Sequence, residues 1–386
     1  MPKPAMTSLY EGRSTSLQES LLSCAAARRW CAGAGLHAML LTAACWAGVS
    51  IDDLVAPGAE VEKVATGFAF TEGPAWSPEG FLLFTDLNQN CIFKVLADGT
   101  TETFLSPSGG ANGLAFDGRG DLYICQAGVD FAGNPYGGPR QVSRISSSGS
   151  FSVLADSFES KKLNSPNDLA LDGVGGIYFT DPRYFNLEGV EQDANGVYYI
   201  APGGRIRRVI SEIPMPNGIL VSNDGTWLYI AEAGHSEEKL GIRRYPILAP
   251  GQLGEGRKIR WDPYIDGFGP DGMAMDEHGN LYGTFSAFTL DETYGKNQIL
   301  VLDPDGRDIG SIPLPEGPSN CVFGGDDGKT LYITAWANVY RIRMKVRGAP
   351  LPQGPPPERP SDTRAERVPE GRILPTQEKS DREPAR

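Results

Sequence analysis

The 386-residue chain carries 48 acidic against 35 basic side chains, a formal net charge of −13, with 48 Gly and 30 Pro. So acidic a surface argues against nucleic acid as a partner, because polyanion binding needs neutralising Lys and Arg. Three His (His37, His235 and His278) and no G-x-S-x-G elbow argue against a Ser-His-Asp hydrolase and against a multi-His zinc site.

Residues 1–27 are polar and irregular. Arg28-Arg29 then precede WCAGAGLHAMLLTAACWAGV, an apolar stretch ending near Val49 and too rich in small residues for a stable membrane span. Basic residues, an apolar region and small residues near Ala43-Ala44 read as an export signal. LTAAC at 41–45 also resembles a lipoprotein cleavage box, which would place the lipid on Cys45. The expectation is an exported protein, periplasmic or secreted; a disordered or mis-started N-terminus is the alternative. Residues 50–59 read as a linker.

From residue 60 onward the chain repeats. A polar residue, then Gly, Asp or Cys, then a short apolar run occur at Glu72, Asn112, Asn167, Asn217, Asp271 and Asn320, with steps of 40, 55, 50, 54 and 49. A fixed phrase at periods near 50 marks a repeat architecture. Each copy continues through a Gly/Asp turn (DGRG, GVGG, NDGT, EHGN, DDGK) into a second apolar run, as in LYIC and IYFTD, so each reads as a hairpin. A third and a fourth strand follow. Four strands per unit and six units predict an all-β, six-bladed β-propeller over 60–345.

The last unit, 321–344, has only three strands, while EVEKVATG at 60–67 is in phase with the fourth strands. The N-terminal strand is therefore expected to pair into blade six and close the ring, which removes open sheet edges. The six polar residues should then converge on one mouth of the central channel. A ring of oxygen donors without His or Cys suits a hard divalent cation, Ca²⁺ or Mg²⁺ first.

Long insertions at 127–140 and 181–195, with further candidates at 233–241 and 286–297, are placed to shape access to that mouth. Cys91, Cys125 and Cys321 sit on predicted strands without a C-x-x-C pair and read as small buried hydrophobes; a disulfide among them cannot be assigned. Residues 346–386 are Pro-rich, charged and poor in aromatics, which predicts a disordered tail.

Taken together and in order, TEGPAW, SPNDL, PNGI and PDGM resemble the gluconolactonase/regucalcin family of six-bladed propellers, as do KKLNSPNDLALD, IYFTDPRY and SNCVFGGDDGKTLYIT. The resemblance implies one divalent cation, held by Glu72, Asn167, Asn217 and Asp271, with Ca²⁺ favoured over Mg²⁺, Mn²⁺ or Zn²⁺. Two carboxylates balance a 2+ charge, and four protein ligands leave room for water and substrate. It also implies metal-assisted opening of a sugar-acid lactone, with Asp271 as general base and Glu72 as a pure ligand. Asn112, Asn167, Asp181 and Tyr184 are then the substrate-binding candidates. Asp168 either orients Asn167 or stabilises its turn, and Asn320 either meets substrate or caps its strand. Arg140 and Arg183 are candidate partners for an anionic substrate. The alternative is a non-catalytic propeller that binds a ligand or protein around a structural cation.

Overall fold

The computed structural model describes residues 49–96, 98–234, 240–261, 269–286 and 297–352, together with the backbone of Glu366–Arg367. The signal-like leader with Cys45, most of the tail, and most of the insertions expected at 233–241 and 286–297 lie outside the described residues. Among the described residues no helix is long and apolar enough to cross a membrane.

Six antiparallel sheets follow one another along the chain. Blade 1 is built from Thr71–Trp76, Leu82–Asp86, Cys91–Val95 and Thr101–Leu105, and blade 2 from Ala111–Phe116, Leu122–Gln126, Gln141–Ile145 and Ser150–Ala155. Blade 3 uses Leu169–Leu171, Ile177–Asp181, Gly196–Ile200 and Ile206–Ile210. Blade 4 uses Pro216–Val221, Trp227–Glu232, Gly241–Ala249 and Arg257–Trp261. Blade 5 uses Pro270–Met275, Leu281–Phe285, Gln298–Leu302 and Asp308–Pro313. The first strands of successive blades touch all the way round, so they form the channel wall.

Blade 6 contains Pro318–Gly324, Thr330–Ala335 and Asn338–Arg343, and its fourth strand is Glu62–Thr66 from the beginning of the chain. Glu62 faces Arg341 and Thr66 faces Asn338 in antiparallel register. The expected closure is thus present. Trp76 of blade 1 stacks on Tyr332 of blade 6 at 5.3 Å, which seals the same seam from the side.

Burial follows from this layout. The second strand of blades 1, 2, 3 and 5 is buried at every residue, because neighbouring blades cover both faces. Bulky rings fill the wedge between blades: Tyr123, Tyr178, Tyr198, Tyr199 and Tyr282 are fully buried. The turns between first and second strands are held by an acidic side chain: Asp117 Oδ1 accepts the amides of Arg119 and Asp121, and Asp276 Oδ1 those of His278 and Asn280.

Both flanks of the propeller do more than the sequence suggested. The 50–59 stretch is not an idle linker. Ile51–Leu54 form a helical turn capped by Ser50 and Asp53, and Leu54 is buried in the blade 5–6 core with Met344 and Val346. Residues 346–352 of the tail likewise pack on the propeller. The Ala349 amide bonds Met275 O, the Gly118 amide bonds Pro352 O, and Leu351 packs on the blade 1–2 core. This strap crosses the channel end lined by Trp76, Phe116, Val221, Met275 and Phe323, where the cavity measures about 400 Å³. Composition alone could not reveal it, because Val346 and Leu351 find apolar partners only in the closed ring.

Candidate active site

The six polar residues of the repeat stand at the other end of the same strands. In blades 1, 2, 4 and 5 the first strand begins before the polar residue, so the residue lies inside the strand. There the pairing register slips, between Glu72 and Ala75, Ala111 and Leu114, Pro216 and Ile219, and Pro270 and Met273. A bulge of this kind re-aims a side chain out of the pleat. Sequence patterning placed these residues just ahead of their strands; the bulge is the reason for the difference.

The Gly after the polar residue is explained by the neighbouring blade. A Cβ on Gly73, which has φ +45°, would lie 1.8 Å from Asn112 O, and one on Gly218 would lie 2.2 Å from Asp271 O. Only Gly lets the bulges of adjacent blades approach this closely. Backbone bonding ties the ring further, as the Gly113 amide donates to Asn167 O at 2.7 Å.

Two recurrent supports were missed in the sequence. The first is a Thr on the second strand. Thr85 Oγ1 donates to Asn112 O, Thr180 Oγ1 accepts the Asp168 amide, and Thr284 Oγ1 donates to Ser319 O. The second is the next residue along that strand, which holds the loop leading into a ring residue. Asp86 accepts the amides of Ala69 and Phe70 ahead of Glu72, Gln126 Nε2 donates to Ser108 O ahead of Asn112, and Asp181 accepts the amides of Asn164 and Ser165 ahead of Asn167. The signal was present as the repeated Thr-Asp of LFTD and YFTD.

Glu72, Asn112, Asn167, Asn217, Asp271 and Tyr184 line one small pocket of about 60 Å³, so six of the seven residues singled out for the site come together. Asp181 does not line it: its carboxylate is fully buried and faces the Asn164–Ser165 backbone. Asp168 and Asn320 stand on the channel side of the ring. Asn320 Nδ2 donates to Glu72 Oε2 at 3.2 Å, and Asp168 Oδ1 accepts the Leu169 amide at 2.9 Å. Arg183 lines the pocket, whereas Arg140 is turned to Glu191, 3.6 Å away, and to Gly189 O. From the insertions come Val129, Phe131 and Phe185, and Phe131 packs tilted against Phe70 with ring centroids 4.2 Å apart. Among the described residues Cys91, Cys125 and Cys321 are free thiols.

The electrostatics of the ring are set by burial and mutual repulsion. Removal from water lifts the Glu72 carboxyl to about 7, and the Asp168 charge adds to the effect; the Gly73 amide and the Asn320 side chain oppose it. The Asp271 carboxyl is lifted well above its ordinary range by desolvation, then by the charges of Glu72 and Asp168, while Asn217 bonds its ionised form. Asp168 rises to about 6, chiefly through desolvation. Burial and mutual repulsion push both carboxyls the same way, so ionising the two together without a cation is disfavoured.

Such a pair suits a hard cation, which relieves the repulsion in the proton's place. Asn167 and Asn217, which line the same pocket, could add neutral amide oxygens. Among the described residues no three His, Cys, Asp or Glu gather in a ligating cluster.

Residues 70–337 match the SMP-30/Gluconolactonase/LRE-like region family model. A gluconolactonase of Zymomonas mobilis is 30% identical over 326 residues, covering 77% of this chain and 85% of that protein. A lactonase of Staphylococcus epidermidis is 28% identical over 278 residues, covering 68% of this chain and 73% of the relative. The solved structure of a gluconolactonase from Xanthomonas campestris superposes with a TM-score of 0.65 at 27% identity, covering 76% of this chain and 92% of that one. The family model spans more than two thirds of the chain and the ring lies within it, so this six-bladed propeller belongs to the SMP-30/gluconolactonase/LRE-like family.

Proposed function

We propose that the protein is a divalent-cation-dependent lactonase that opens a sugar-acid lactone at this mouth. The meeting of Glu72 and Asp271 with the amide oxygens of Asn167 and Asn217 in one small pocket carries the reading, and the lactonases and gluconolactonases among its relatives support it. Glu72, Asn167, Asn217 and Asp271 would hold the ion, Ca²⁺ first among hard cations. When bound, such an ion polarises a carbonyl and stabilises the negative charge that builds on its oxygen.

The chain's own groups divide the remaining work. Glu72 Oε2 already accepts from Gly73 N and Asn320 Nδ2, which suits a fixed ligand rather than a proton carrier. Asp271 is the ring carboxylate that keeps some exposure at the mouth. Its carboxylate takes the proton of the attacking water as the C–O bond to the carbonyl forms. The same proton passes to the ring oxygen as the lactone C–O bond breaks, leaving a hydroxy acid. The Tyr184 hydroxyl donates to Pro216 O at 2.9 Å, which fixes its ring as a wall of the pocket. Asn112, the buried ring residue of blade 2, offers an amide to a substrate hydroxyl. Phe70, Phe131 and Phe185 limit water around the reacting carbonyl.

The test is hydrolysis of glucono-δ-lactone by chelated protein, followed by titration with Ca²⁺. Activity should vanish with chelator and return with the ion. Undiminished turnover in chelator refutes the proposal.

A further inference from the structure

Two polar atoms near the mouth have no use in the reaction as described. Ser165 Oγ and Arg183 Nε are both buried without a hydrogen-bond partner, and both residues line the pocket that contains Glu72 and Asp271. Buried donors are ordinarily satisfied, so unpaired ones in a binding pocket point to a ligand atom.

Arg183 is only 4% exposed. Its Nη2 donates to Asn164 O at 2.7 Å and its Nη1 to Asn186 O at 3.3 Å, which fixes the guanidinium without neutralising it. Asp181 attracts it at longer range but uses both oxygens on the Asn164 and Ser165 amides. Arg140 stands close enough to repel it, and Glu191 pairs with Arg140 instead. A buried, rigid, unneutralised cation is costly unless an anion joins it. Burial, followed by Arg140, accordingly depresses the Arg183 pKa. The ring carboxylates of the same pocket repel anions, so the pocket is polarised, with an acidic pair in one part and a guanidinium in another.

We infer that Ser165 and Arg183 form a subsite for an anionic substituent, a carboxylate or a phosphate, borne by the substrate away from its reacting carbonyl. The inference rests on the lactonase reading for the word substrate, but the subsite itself is defined by charge and unpaired donors. A guanidinium and a hydroxyl are the donors such oxyanions take, with Arg the residue suited to planar recognition.

The test compares three lactones: neutral glucono-δ-lactone, glucaro-1,4-lactone with its carboxylate, and 6-phosphoglucono-δ-lactone. The protein should favour at least one charged lactone by about tenfold or more in kcat/KM, the scale of a charge-assisted contact; which one leads identifies carboxylate or phosphate. Arg183→Gln should erase that preference mainly through KM, Arg183→Lys should keep part of it, and Ser165→Ala should weaken it by less. Calorimetric binding of the open-chain products D-glucarate and 6-phosphogluconate, with Ca²⁺ present, reads the subsite without turnover, and thermal melts verify that each variant folds. Preference for the neutral lactone, an equal loss for all three lactones in Arg183→Gln, or product binding indifferent to Arg183 overturns the inference. If no lactone is opened yet product binding depends on Arg183, the subsite stands and the lactonase reading falls.

Discussion

Gly218 shows how single residues set this site. The Asn217-Gly218 bulge reaches its neighbour only because no Cβ intervenes before Asp271 O. Gly218→Ala must therefore push blade 4 from blade 5. It should cost about 1–3 kcal/mol, the usual scale of overpacking, and lower activity by displacing Asp271; denaturant unfolding and kinetics check both. Asp181 acts on the site through another residue. Asp181→Ala leaves the buried Asn164 and Ser165 amides without acceptors and frees the loop that aims Asn167. A loss of about 2 kcal/mol or more in stability is expected, at about 1–3 per orphaned donor, with weaker Ca²⁺ binding by calorimetry. Unchanged Ca²⁺ affinity would show that the loop holds without it. The ring residues could be read from the chain because they recur at one position of a repeat. The role of Asp181 could not, since its partners lie 16 and 17 residues away in another loop.

Among elements, the closing strand and the C-terminal strap deserve separate tests because the sequence revealed one and hid the other. Glu62–Thr66 could be read as strand because its phase matched the fourth strands of the later blades. The strap could not, because Arg347–Pro352 has no periodicity and its hydrogen bonds join backbone to blades 2, 5 and 6. A chain ending at 352 should melt like the full chain. One ending at 345 loses the burial of Val346 and Leu351, each worth about 1.5–3 kcal/mol if fully buried, and should melt several degrees lower. At the other end, chains beginning at 49, 59 and 69 should melt in descending order, because the second loses buried Leu54 and the third also loses the closing strand. Equal melting across either series would mean that these segments only rest on the surface.

At the scale of the whole molecule, six repeats bring six polar side chains to one axis, and sequence differences between repeats make that axis chemical. Two positions are carboxylates and four are amides. The carboxylates come from blades 1 and 5, on either side of blade 6, whose fourth strand is Glu62–Thr66. Identity of the two carboxylates does not imply identity of role. Glu72→Gln keeps an oxygen and loses charge, so excess cation should restore part of its activity. Asp271→Asn also keeps an oxygen but removes the proton acceptor. The most direct test is kcat for glucono-δ-lactone with Asp271→Asn at saturating Ca²⁺, with ion occupancy verified by calorimetry. The account predicts a fall of at least about 10²-fold that added ion does not reverse, the scale of a lost general base. A fully loaded Asp271→Asn protein as active as the parent would contradict it.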